Sequence, residues 1–93
     1  GEGCLDRQTA FGKTPAGVAG YAKRWGVPVV ALAGGIRPGA DLCNRQGIDA
    51  YFAILPRVMS LEEAMEPETA RRNMAQTAEQ VFRLIQAVAI PRK

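Results

Sequence analysis

The sequence predicts an α/β chain, and three observations predict it. Val27 to Ala33 is an unbroken apolar run, rich in β-branched residues and ended by Gly34-Gly35, the pattern of a parallel strand buried on both faces. Ile48 to Leu55 supplies a second apolar, aromatic-bearing run closed by Pro56. Helical apolar periodicity precedes the first run and follows the second. Parallel strands rarely stand as an isolated pair, so the expected architecture is a partial Rossmann-like layered fold whose sheet is completed by residues absent from this chain.

The first helix is expected over 14–26. Thr14 suits the cap, Pro15 the first helical position and Gly26 the left-handed stop. Val18, Tyr21, Ala22 and Trp25 recur at three- and four-residue spacing, so they are expected to line its packed face. The interior glycines Gly17 and Gly20 each cost about 1 kcal/mol relative to Ala, which close packing of the helix would offset.

Pro28 has no N–H to give a ladder and marks the start of the first strand. Gly34 and Gly35 then stand at the carboxyl end of a parallel strand, where open α/β sheets place ligands; a plain tight turn explains them equally. A short helix is expected from Pro38 to Gln46 with Gly47 as its stop, a crossover near the minimum for a parallel pair. Ser60-Leu61-Glu62-Glu63 matches a capping box, with Glu63 placed to reach back to the Ser60 amide. The helix it opens is expected to break at Pro67. From Glu68 to Ala89 the stripe Met74, Ala78, Val81, Ile85 and Val88 marks a long core-facing helix.

Ninety-three residues make at most one domain. Apolar content of 47% and charged content of 23% are ordinary for a globular protein and argue against disorder. The net charge of +3 is carried by scattered basic residues, without the stripe expected of a nucleic-acid binder. No apolar run nears the roughly 20 residues needed to span a bilayer, and the N-terminus lacks signal-peptide order, so no membrane partner and a cytoplasmic location are expected. Cys4 and Cys43 form no Cys-x-x-Cys pair, and the chain has no histidine to complete a metal site or a Cys/His dyad. Both are expected as reduced thiols. The start at Gly1, inside what reads as a functional loop, points to a piece of a longer protein.

That opening stretch carries the candidate chemistry. Gly12-Lys13-Thr14 invites a phosphate loop, but the motif needs a glycine five residues before Gly12, where this chain has Arg7. No Gly-x-Gly-x-x-Gly turn is present either. The polar groups nevertheless suit phosphoryl transfer, which needs charge neutralisation, a Mg²⁺ ligand and a positioned acceptor hydroxyl. Asp6 or Glu2 could orient or deprotonate the hydroxyl or hold the metal through oxygen, Lys13 could stand near the phosphate or a substrate carboxylate, and Gln8 could bond a hydroxyl or carboxylate. Asp6 and Lys13 fit equally as turn and cap residues on a solvated surface.

Glu2-Gly3, Asp6, Gln8-Thr9, Gly12-Lys13, Pro15 and Gly17-Val18-Ala19, followed by Pro28-Val29 and Ala33-Gly34, closely resemble the C-terminal part of the bacterial-type glycerate kinases. Gly47-Ile48-Asp49-Ala50, Phe52, Glu62-Glu63-Ala64 and the closing helix keep the same order. The resemblance implies a two-domain enzyme with its active site in the cleft, transferring the ATP γ-phosphate to D-glycerate with Mg²⁺. It implies that residues 1–93 are a C-terminal fragment, with 1–14 an active-site loop and 15–93 the α/β units and closing helix. Asp6 and Lys13 are then the catalytic candidates, and Glu2, Gly3, Gln8 and Gly34 the substrate-binding ones. Its partners are D-glycerate, ATP and the remaining N-terminal part of the same protein, and a homo-oligomer is compatible with it. The fragment alone is expected to be inactive. The family commonly has a basic residue where this chain has Cys4, so an anion contact is missing or taken over by Arg7. Two other classes fit the scaffold: a non-catalytic small-ligand or regulatory α/β domain, and a self-association module built on the long helix.

Overall fold

The computed structural model describes residues 4–7 and 12–89, and of residues 13–16 the backbone only. It is α/β, with small parallel sheets and helices. The described chain divides into two compact units, the first ending at Ala53 and the second beginning at Ile54.

In the first unit the strands are β1 (Cys4–Leu5), β2 (Val30–Ala33), β3 (Gly35–Ile36) and β4 (Ala50–Ala53). β2 pairs with β4 in parallel, Val30 opposite Ala50 through Ala33 opposite Ala53. β1 pairs with β3, also in parallel, Cys4 opposite Gly35 and Leu5 opposite Ile36. Both apolar runs thus yield the expected parallel pair, in shorter strands than the runs themselves. Pro28 lies two residues ahead of β2, not at its first position. Nor is β2 buried on both faces within this chain: Ala33 is buried, Ala31 and Leu32 half-buried, Val30 exposed. β1 is an addition to the sequence expectation, which gave the opening stretch no strand.

Helix α1 (Lys13–Arg24) starts from Gly12 with extended backbone and no side-chain cap. Thr14 is therefore the second helical residue rather than the cap, and Pro15 the third rather than the first, a place where its missing N–H still costs no helical bond. The stop is as expected. Gly26, at φ +66°, donates to the Lys23 carbonyl, and Val27 donates to that of Ala22 at 3.0 Å, the two reverse bonds of a Schellman closure.

The packed face of α1 differs from the expected one. Ala19 is fully buried, whereas Val18, Tyr21 and Trp25 are exposed and Ala22 half-buried. Gly17 and Gly20 have open space where a Cβ would stand, so close packing within this chain does not explain them. The cause lies at Gly47, whose φ is +100° and whose Cβ would sit 3.1 Å from that of Ala19. Such close approach admits only a small side chain, so the alanine side of α1 turns inward.

The crossover between β2 and β4 is a 3₁₀ helix over Ala40–Gln46, flanked by left-handed Gly39 and Gly47, not an α-helix from Pro38. Its Cys43 packs with Ala19 and Ile48 in one buried cluster, while Leu5, Ala33 and Ala40 form another. Cys4 and Cys43 share no disulfide. Asp49 ties the unit together: its carboxylate accepts from Lys23 Nζ at 2.5 Å and from the Val29 amide at 2.7 Å. These bonds hold its pKa below the ordinary value, the Lys23 bond contributing most.

In the second unit, α2 (Leu61–Met65) is capped by Ser60, whose Oγ accepts from the Glu63 amide at 3.1 Å. Only half of the expected capping box forms, because the Glu63 carboxylate is drawn to Arg57 Nη2 at 2.7 Å instead of the Ser60 amide. The long helix α3 (Pro67–Ala89) is capped by Glu66, which accepts from the Thr69 hydroxyl and amide at 2.8 and 2.9 Å and from the Glu68 amide at 3.2 Å. Those bonds lower its pKa, the Thr69 hydroxyl first. The expected seam is only partly covered here. Ala78 and Val81 are half-buried, but Met74, Ile85 and Val88 are exposed, and the buried residue of the helix is Asn73, whose amide reaches the Met59 sulfur at 3.9 Å.

Candidate functional site

The β1–β3 pairing places two chain segments at one edge. Arg37, next after β3, donates its backbone N–H to the Leu5 carbonyl at 2.8 Å, which closes the last pair of the ladder, Leu5 with Ile36. Asp6 and Arg37 are the residues that follow directly on this last pair. Leu5 points into the core, and alternation puts the half-buried Cys4 on the opposite face of β1; Asp6, also half-buried, follows the strand. Paired strands carry register partners on the same face, so Gly35 shares the face of Cys4. The Cys4 sulfur lies 3.2 Å from where a Gly35 Cβ would stand.

Arg7 is fixed from the other side. Gly39, at φ +92°, would bring a Cβ to 2.8 Å from that of Arg7 and 3.3 Å from the Arg7 backbone nitrogen. Asp6, Arg7, Arg37 and Gly39 therefore converge at the carboxyl end of a parallel pair, the end where α/β sheets bind ligands.

The sequence candidates distribute unevenly about this edge. Asp6 is on it. Gly34 is the bend between β2 and β3, at the carboxyl end of β2 but at the opposite end of β3 from Arg37. Lys13 opens α1, with only its backbone described. Glu2, Gly3 and Gln8 lie outside the described residues. Arg37 was missed in the sequence, where the basic residues looked scattered. Its signal was its position, two residues beyond Gly35 in a run following a parallel strand. Among the described residues no cluster of three or more His, Cys, Asp or Glu is placed to hold a metal. A magnesium ion bound to substrate phosphates takes only one or two protein carboxylates, so Asp6 alone is a compatible oxygen donor.

The sequence model of the glycerate kinase family matches residues 1–86. The chain belongs to the glycerate kinase family. It is 51% identical over 80 residues to the glycerate kinase of Halalkalibacterium halodurans, covering 81% of this chain and 21% of that protein. It is 42% identical over 81 residues to the glycerate kinase of Bacillus cereus, covering 87% and 21%. Against the glycerate 2-kinase of Escherichia coli it is 38% identical over 82 residues, covering 83% and 22%. The chain thus spans about a fifth of the length of these relatives, and the match falls in their C-terminal segment. No solved structure matches it. No described helix is long and apolar enough to cross a membrane.

Proposed function

We propose that this chain is the C-terminal part of a cytoplasmic kinase that transfers the γ-phosphate of ATP to D-glycerate, giving phosphoglycerate and ADP. Residues 1–14 form one wall of the active site. Residues 15–93 complete a Rossmann-like layered domain whose other strands come from the N-terminal part of the same protein. The observation that carries this reading is the family match over residues 1–86, and the convergence at the β1–β3 edge agrees with it.

In this reading Asp6 accepts the proton of the acceptor hydroxyl as that oxygen attacks the γ-phosphorus and the bond to the ADP oxygen breaks. Lys13, at the first turn of α1, stands where a cation and free helix amides both favour a phosphate. Glu2, Gly3, Gln8 and Gly34 line the substrate side. Asp6 or Glu2 would hold a magnesium ion through a carboxylate oxygen, and the ion would supply neutralisation of the phosphate charge.

A coupled kinase assay on the full-length protein with D-glycerate and Mg-ATP tests this. Asp6→Asn is expected to lower kcat by about 100-fold or more, the scale of a lost general base. Undiminished turnover in that variant refutes the assignment. The isolated 93-residue chain is expected to be inactive, since it supplies one wall only; ATP-dependent phosphorylation of glycerate by that chain alone would contradict this.

A further inference from the structure

Two cations at the candidate edge have no role in the scheme above. Arg7 and Arg37 are both exposed, and among the described residues neither guanidinium takes part in an ion pair or side-chain hydrogen bond. Their backbones are nevertheless held tightly, Arg7 against Gly39 and Arg37 by its bond to Leu5. Asp6 precedes Arg7 in sequence, and Asp6 and Arg37 each follow directly on the paired residues Leu5 and Ile36.

This placement matches the shape of a particular substrate class. A small hydroxy acid carries its hydroxyl and its carboxylate on the same or neighbouring carbons, a few ångströms apart. A site that activates the hydroxyl with a carboxylate therefore needs a cation one strand away, and neighbouring strands are about 4.8 Å apart. Arginine suits the task because its planar fork can bond both carboxylate oxygens at once. Cys4 and Gly35, the pair one step before Leu5 and Ile36, add neither a carboxylate nor a basic side chain.

We propose that Arg37, with Arg7 beside it, is the specificity-determining cation that receives the carboxylate of the hydroxy-acid acceptor while Asp6 faces its hydroxyl. This rests on the reading of the protein as a hydroxy-acid kinase, and it is silent on which hydroxy acid is preferred. A nucleotide phosphate is also an oxyanion, so the test separates the two sources.

The full-length protein and its Arg37→Gln, Arg37→Lys and Arg7→Gln variants are compared by calorimetric binding of D-glycerate and, separately, of Mg-ATP, with kcat and KM for each substrate. Arg37→Gln is expected to weaken D-glycerate binding by about 10- to 100-fold, the range for a lost charge-assisted hydrogen bond. Mg-ATP affinity and melting temperature should stay unchanged. Arg37→Lys should fall between wild type and Arg37→Gln, retaining charge without the fork, and Arg7→Gln should weaken D-glycerate binding less. Unchanged D-glycerate binding in Arg37→Gln, or a loss confined to Mg-ATP, overturns the inference while leaving the kinase reading intact. Should wild type not use D-glycerate, the same calorimetry with glycolate, lactate and tartronate decides. Arg37-dependent binding of any of them sustains the inference and retires glycerate, and binding of none overturns it.

Discussion

Gly39 and Arg7 meet so closely that a Cβ on the glycine would stand 2.8 Å from that of the arginine. The contact joins the turn after β3 to the helical residue Arg7, two positions beyond β1, and it occurs at a left-handed backbone position, φ +92°. Two independent requirements therefore fall on one residue. A side chain there costs about 1–2 kcal/mol for the left-handed conformation, and the contact adds overpacking of about 1–3 kcal/mol.

Gly39→Ala in the full-length protein is accordingly expected to lower the unfolding free energy by about 2–5 kcal/mol. The damage should also displace Arg7 from the edge, so D-glycerate KM should rise in whatever fraction remains folded. Denaturant unfolding and steady-state kinetics check the two effects. A variant as stable as wild type would show that Gly39 and Arg7 are not in contact.

Stability should also respond to acid in a defined sense. The Asp49 carboxyl is held below 3.8 by Lys23 first and the Val29 amide second, and that of Glu66 below 4.5 by Thr69 and the Glu68 amide. A carboxylate whose folded pKa is depressed contributes stability that is fully present above its unfolded pKa and lost as pH falls through its folded pKa. Both contributions are therefore intact at neutral pH and decay below 4.5 for Glu66 and below 3.8 for Asp49. Both groups are solvent-exposed, so salt screening keeps the effect small. Asp49→Asn and Glu66→Gln should each melt below wild type at pH 7, with the gap closing in acid. A gap that widens in acid contradicts the assignment.

The sequence made the two longer strands legible because Val29-Val30-Ala31-Leu32-Ala33 and the run through Tyr51 and Phe52 are apolar over a full strand length. It also showed the closure of α1 at Gly26 and the Ser60 cap, since both depend on residues within a few positions of each other. Two features were hidden for physical reasons. β1 is two residues long and exists through its partner Gly35–Ile36, so no local pattern marks it. The buried side of α1 is chosen by the close approach of Gly47 to Ala19, whereas periodicity ranks faces by size and apolarity and so selected Val18, Tyr21 and Trp25. The candidate site was half legible: Asp6 stood out in the opening stretch, while Arg37 acquires meaning only once β3 lies beside β1.

The pairing that creates this edge can be tested through Cys4 and Gly35. A Cβ at Gly35 would lie 3.2 Å from the Cys4 sulfur, close enough that the sulfur must shift, yet Gly35 is in an extended strand where alanine meets no backbone penalty. Gly35→Ala should therefore destabilise the full-length protein by about 1–3 kcal/mol through overpacking. Cys4→Ala removes the sulfur and should itself cost little at a half-buried site. Combining the two should recover much of the loss, giving a coupling free energy of about 0.5–3 kcal/mol, the range for residues in contact. Strict additivity would mean that Cys4 and Gly35 are not neighbours, and the β1–β3 register that brings the Asp6 and Arg37 segments together would fall with it.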